Sequence, residues 1–414
     1  MILAIRKILV LSLLFSCNGT LLAQASLNGL LNDLQSINPS LKALNKEYQA
    51  ALEWEGQVSQ LPDPVFQTGY FLSRPETRVG PQILQFGVSQ NLPWKGTIAA
   101  RKNLMNSKAE VKKESVEIAD LNFQHLIKNA WLDLYKIQEQ QNIIQEYIQI
   151  YSVLEQLVLT KIENGSAQLD DALNIQVALL ELNQQLQILE LEKRTPQIGI
   201  NRILNRDLNT SININEKLKL FSWSTVFENG LENIESSHPL FQQYIKEKQV
   251  ALNEIQLNAL ENKPAFTVGL NYVILSPIED ALIVGNGRNI LMPSVKLNLP
   301  IQRQKYQSRN QEMEINLARI EDKKAEAIND FLSHIENAKV LIETAELKNE
   351  LYITQLRTLD AAVEIRQTRF STDSEGLDAL LQLHEEMITY ELKILDSILD
   401  THRAKFEIER ILTD

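Results

Sequence analysis

The spacing of apolar residues changes period twice within each half of the chain. From Leu41 to Val58 the spacing is helical, with Pro39 near the start, where proline is tolerated. Leu61-Pro62-Asp63-Pro64 stops it. From Val65 to Leu72 the period is two, with Phe66, Tyr70 and Leu72 on one face and Gln67 and Gly69 on the other. After a polar loop (74–81), Ile83 to Leu92 alternates again. Leu84, Phe86, Val88 and Leu92 share one face, and Gln85, Gly87, Ser89 and Asn91 the other. Pro93 and Gly96 end this strand. No glycine or proline then occurs from Thr97 to Asn164, a span that as one helix would be about 100 Å long. Globular helices average about 11–12 residues, so this one predicts an extended bundle.

Asn164-Gly165-Ser166 reads as a turn with the glycine as helix C-cap, and a return helix folds back antiparallel until Pro196 and Gly199. The mixed, polar residues 207–237 read as a connector, after which the pattern begins again. His238-Pro239-Leu240 parallels Asn38-Pro39-Ser40-Leu41, and Pro264-Ala265-Phe266-Thr267-Val268-Gly269 aligns without a gap on Pro64 to Gly69. Asn298-Leu299-Pro300 answers Asn91-Leu92-Pro93, and Gly376-Leu377-Asp378 answers Gln168-Leu169-Asp170. One duplication therefore organises the chain, since the period is far too long for a solenoid. The first repeat (26–206) holds a helix, strands at about 64–73 and 82–92, a long helix (97–164) and its return (167–195). The second (238–414) holds a helix, strands at about 264–275 and 290–299, a long helix (301–372) and its return (377–412). In its strands Phe266, Val268, Leu270, Tyr272 and Ile274 oppose Thr267, Gly269 and Asn271, and Leu291, Val295, Leu297 and Leu299 oppose Ser294, Lys296 and Asn298.

Composition changes the picture in two ways. The net charge of -12 disfavours nucleic acid and anionic membrane surfaces as partners. Residues 1–25 read as a secretory leader, with Arg6 and Lys7 before the apolar Ile8 to Phe15 and a small-residue site at Ala23-Gln24-Ala25. Cys17 is the only cysteine, which excludes an intrachain disulfide; it follows Leu14-Phe15-Ser16, leaving two fates open, acylation or removal with the leader. No later apolar run is long enough to span a bilayer as a helix, which leaves a β-barrel open.

Strands of about ten residues have the length that crosses a bilayer when tilted. The apolar face would meet lipid, and the face with Gln85, Ser89, Asn271 and Lys296 would meet water. A soluble sheet half-buried against helices fits the alternation as well. Export, two matched strand pairs and flanking helices too long for a compact domain favour the barrel. Known barrels begin at eight strands, so four cannot close alone. Two chains would give eight strands with a filled interior, and three would give twelve with room for a lumen.

The order helix, Leu-Pro-Asp-Pro, strand pair, Leu92-Pro93-Trp94-Lys95-Gly96, very long helix, glycine turn and return helix, duplicated, resembles the TolC-type outer-membrane efflux family over essentially the whole mature chain. The block Phe86 to Gly96 is similar to the strand-to-helix junction of its metal-efflux members, and Lys161-Ile162-Glu163-Asn164-Gly165 with Leu169-Asp170 to its first hairpin tip. The resemblance implies a mainly α chain that gives four strands to a homotrimeric, twelve-stranded transmembrane β-barrel and continues as a periplasmic α-helical tunnel. It implies an outer-membrane location in a Gram-negative bacterium, with a periplasmic adaptor and an inner-membrane efflux pump as partners. The metal-efflux-like junction points to heavy-metal cations as one cargo, with small-molecule efflux and type I protein secretion through the same channel type left open; a periplasmic coiled-coil adaptor or structural protein is the alternative.

Family members ring the closed periplasmic entrance with acids on the second return helix. Asp378 matches the first such position, whereas Leu381 stands where a second acid would fall. Asp170, Asp171, Asp373 and Glu375 also cluster at the tips, where three copies of each would attract cations. The same acids would also serve as first-turn residues that complement helix dipoles. Gly165 and Gly376 are the expected adaptor-contact tips. No phosphate-binding glycine loop is present, and His125, His238, His334, His384 and His402 are scattered without metal-ligand spacing. His384, before Glu385-Glu386, reads as solvated surface, and Trp131 with Tyr135 as packing. The expectation is a passive channel with no cofactor and no catalytic residues.

Overall fold

The computed structural model describes residues 26–223, 234–280, 282–373 and 376–412. The leader with Cys17 and the tip residue Glu375 lie outside the described residues, as does the side chain of Asp373. Helices α1 (Leu27–Ile37), α2 (Pro39–Leu52) and α3 (Trp54–Val58) precede strands β1 (Val65–Tyr70) and β2 (Gln82–Leu92). Then come α4 (Thr97–Glu163), α5 (Leu169–Glu192) and α6 (Arg194–Ile203). The second half has α7 (Ile234–Ser237), α8 (Pro239–Glu261), β3 (Ala265–Leu275), β4 (Ile290–Asn298), α9 (Gln304–Asp373) and α10 (Leu377–Leu412). The helices α4 and α9 run for 67 and 70 residues without a break.

These long helices are built on coiled-coil spacing. Buried residues in α4 fall at Ile144, Tyr147, Tyr151, Leu154 and Val158, and in α9 at Phe331, Ile335, Ala338, Ile342, Ala345 and Asn349. Steps of three and four keep one seam facing its partner over many turns.

Three local features depart from the expected pattern. Helix α1 was not foreseen; Ser26 caps it, its hydroxyl accepting from the Gly29 amide at 3.2 Å, and Leu30 and Leu34 are buried. Pro196 and Gly199 do not end the helical run but lie inside α6. Pro196 is the third residue of that helix, where its missing N–H has no intrahelical partner to lose. The described part of the connector is packed rather than loose. Ile212 and Ile214 are buried, and Gln138 bonds Ile214 both ways, its amide donating to the carbonyl at 2.6 Å and its oxygen accepting from the amide N–H at 3.3 Å.

The parallel between Asn38-Pro39 and His238-Pro239 has a structural counterpart. Each proline opens a helix directly after a one-residue break. Asn38 donates to the Ile203 carbonyl at 2.7 Å, and His238 Nδ1 accepts from the Leu240 amide at 3.1 Å.

The chain divides into two compact units. One comprises Met1–Pro39, Asp120–Leu231 and Ser333–Asp414; the other comprises Ser40–Ala119 and Glu232–Leu332 and carries all four strands. Within the strand-bearing unit, Glu261 of α8 bridges Arg101 at 3.1 Å and Arg309 at 3.4 Å, while Asn258 donates to the Tyr306 carbonyl and to Asn310. The sheet order is β1-β2-β3-β4, antiparallel throughout, and each half of the duplication supplies one hairpin. The loops after β1 and β3 lock together: the Ser276 amide donates to the Pro81 carbonyl at 2.9 Å and the Gly287 amide to the Val79 carbonyl at 2.7 Å. Gly80, at φ +130°, allows this approach, since a Cβ there would stand 1.9 Å from the Ser276 carbonyl oxygen.

Candidate functional site

The strand register places the polar positions on one continuous face. Gln67 pairs with Gly87, Gly87 with Asn271, Ser89 with Gly269, and Gly269 with Ser294, while Thr267 pairs with Lys296. Gln85, Ser89, Asn271 and Lys296 thus lie on the same side of the sheet, as alternation predicts. Gln85 donates to Asn271, and Asn271 to Ser294, each at 3.4 Å. This side is a shallow concavity lined by Gln67, Ser89, Thr267, Asn271, Ser294 and Lys296. Side chains from adjoining strands lean over its glycines: a Cβ on Gly87 would come within 2.7 Å of Asn271 Oδ1, and one on Gly269 within 2.8 Å of Ser294 Oγ. Toward the loops this face turns apolar, with Val273 and Leu275 buried, a change that the pattern reading missed.

The opposite side carries no charge. Phe66, Val88, Leu270, Leu291, Val295 and Leu297 are all exposed there, between 49% and 72%. Register aligns them across the sheet, Phe66 beside Val88, Val88 beside Leu270, and Phe266 beside Leu297. At the strand-to-helix junction Trp94 stacks on Phe266, ring centroids 6.3 Å apart, and Gly96 at φ +93° turns the chain into α4. Lys296 is the sole charged residue in the four strands.

The other unit contains both hairpin tips. At the first, Gly165 adopts φ +71°, and the Ser166 and Gly165 amides donate to the Lys161 and Ile162 carbonyls at 2.8 and 2.9 Å. This closes the helix end with the left-handed residue that only glycine adopts freely. Gly376 likewise has φ +89°. Lys161 then reaches the other hairpin: its ammonium donates to the Phe370 and Ser371 carbonyls at 2.9 and 3.0 Å and lies 5.2 Å from the Phe370 ring. Asp378 is exposed, and its Oδ1 accepts from Asn174 of α5 at 3.1 Å, so the two return helices meet at their N-termini.

Among the acids expected at the tips, Asp378 and Asp170 are exposed, whereas Asp171 forms a capping box with Gln168, accepting from its amide at 3.1 Å. Asp171 is thereby engaged as a first-turn capping residue of α5. Leu381, in place of a second acid, is buried in an apolar cluster with Tyr151, Leu154, Ala172, Phe370 and Leu380.

Histidine placement differs most from expectation. His384 is not on the surface but 7% exposed, its ring against Tyr147 and Tyr151 at 6.1 and 5.7 Å. Burial lowers its pKa below the ordinary 6.5. His125 and His334 converge on Glu407 at 3.4 and 3.1 Å, with Arg410 bound to the same carboxylate at 2.5 Å. Burial pushes the His125 pKa down against the pull of Glu407. Helical spacing alone hides this convergence, because it draws on three helices. Among the described residues, no group of three or more His, Cys, Asp and Glu side chains could hold a metal ion.

No protein-family model and no curated protein sequence matches the chain. Solved structures do match it. The outer-membrane protein VceC of Vibrio cholerae superposes with a TM-score of 0.71 at 13% identity, covering 93% of this chain and 95% of that one. CusC, described for folding and transmembrane channel formation, gives 0.71 at 10% identity over 93% and 91%. The open state of the MtrE outer-membrane channel of Neisseria gonorrhoeae gives 0.69 at 12% identity over 93% and 88%. The chain has the TolC-type outer-membrane channel fold.

Proposed function

We propose that the protein is the outer-membrane exit duct of a tripartite efflux system, a homotrimer whose twelve strands form a barrel and whose helices form a periplasmic tunnel. The observation that carries this reading is the two-faced sheet: an exposed, uncharged apolar side backing a concave, glycine-containing polar side. Such an apolar band is stable where lipid replaces water, and the polar side then faces a lumen. A periplasmic adaptor or structural protein would hold this band in water. Among the described residues the sheet also ends in unpaired edges at β1 and β4, which barrel closure satisfies by pairing β4 of one copy with β1 of the next.

The duct is passive, with transport energy supplied by an inner-membrane pump through a periplasmic adaptor that grips the tips at Gly165 and Gly376. Asp378 and Asp170, repeated three times around a narrow mouth, favour cations over anions as cargo, with heavy-metal cations among them. Asp373 and Glu375 add to the same acidic mouth in this reading.

Single-channel conductance in a planar bilayer under cation and anion gradients tests the mouth. Wild type is expected to prefer cations. Asp378→Asn, isosteric and still able to bond Asn174, should reduce that preference without closing the channel. An unchanged ion preference would remove Asp378 from the selectivity mechanism.

A further inference from the structure

The tip-proximal cluster contains one group that the duct reading leaves unused. His384 lies on the buried stripe of α10 between Leu380 and Ile388. It is more than nine-tenths buried, and its Nδ1 has no hydrogen-bond partner. Its ring is walled by Tyr147 and Tyr151 of α4, and both tyrosines are committed. Tyr147 donates to Glu391 Oε1 at 3.0 Å, and Tyr151 to the Leu381 carbonyl at 3.4 Å. Beside the ring is a cavity of about 330 Å³, lined by Gln149, Ile150, Val153, Leu154, Gln367 and His384.

We infer that His384 is an acid-sensitive trigger of the tips: uncharged, it completes the apolar packing that holds the hairpins together, and protonated, it loosens that packing and opens the channel. This rests on the duct reading above. A neutral imidazole is compatible with an apolar wall of two rings; an imidazolium there would be a buried cation without a counter-ion. The adjoining cavity gives water a route to the charged ring once the packing gives way.

The titratable groups around it are few. From α4, Tyr147 and Tyr151 face the ring, and burial raises both phenols far above neutrality, so they stay uncharged. On its own helix Glu385 acts on Tyr151, and Glu391 reaches the site through Tyr147. From α9, the cavity receives the uncharged Gln367. Burial alone lowers the His384 pKa, with no charged neighbour contributing. A lowered histidine pKa means that the packed state gains stability above the ordinary value and loses it as pH falls below about 6.5. Glu391 runs the other way: burial raises its pKa, so the packed state gains from it as pH falls. The two effects are separable by substitution.

The test is open probability of the full-length protein in a planar bilayer, at about pH 7.5 and about pH 5. A one-unit difference in His384 pKa between closed and open tips gives up to about a tenfold rise in the open-to-closed ratio per chain on acidification. His384→Phe fills the same slot between the tyrosines and is expected to stay closed at both values; Glu391→Gln should keep the response. Should the phenylalanine variant fail to assemble, His384→Gln supplies a second group that does not titrate and must also abolish the response. A response that survives in the His384 variants, or is absent from wild-type channels, overturns the trigger and leaves the duct standing. No channel at either pH overturns both.

Discussion

Leu270→Arg is expected to abolish assembly in the outer membrane, whereas Asn271→Arg, one residue along the same strand, is expected to preserve it. Leu270 is 49% exposed on the uncharged side of the sheet, between Val88 and Pro293. Asn271 projects to the opposite side, between Gly87 and Met292. An arginine facing lipid near the bilayer midplane costs about 2–4 kcal/mol per chain, repeated in every copy of the barrel. Facing an aqueous lumen, the same residue remains hydrated. The amount of heat-resistant oligomer in the membrane fraction reports the difference. Equal assembly of the two variants, or the reverse order, would contradict the assignment of faces.

The second large effect is expected at the tips. Phe370 is fully buried in the cluster that joins Val158, Ala172, Ile175 and Leu377, and its ring and carbonyl both engage Lys161. Phe370→Ala should destabilise this region by about 3–5 kcal/mol, through lost burial and the cavity left behind. Lys161→Ala removes the cap on the last carbonyls of α9 but leaves the packing, and should cost about 0.3–1 kcal/mol. Backbone hydrogen exchange around both tips is the readout. Exchange there should accelerate roughly a hundredfold or more in the phenylalanine variant and only a few-fold in the lysine variant, if local opening limits it. Comparable rates in the two variants would mean that the hairpins are not held by this cluster.

The strand faces were legible because a period of two sends successive side chains to opposite sides of the sheet, so alternation alone sorts the polar positions from the apolar ones. Gln85, Ser89, Asn271 and Lys296 follow from that rule alone. The long helices were legible for a similar reason, the absence of glycine and proline between Thr97 and Asn164. What escaped depended on neighbours in space. His384 was read from the adjacent Glu385 and Glu386, yet Leu377, Leu381 and Ile388 flank it at steps of four, three and four, which places it on the core stripe. The helical period was the better guide than the adjacent charges. Pro196 misled because a proline that ends one helix can equally stand in the first turn of the next. The convergence of His125 and His334 on Glu407 brings His125 to residues more than two hundred positions away in sequence and carries no local signal.

The proposed duct stands on three copies of one four-stranded sheet closing a barrel in the outer membrane. The most direct measurement is the native mass of the particle extracted from that membrane in mild detergent. Three chains per particle are expected, released only by detergent. A single chain recovered from the periplasmic fraction without detergent would contradict it.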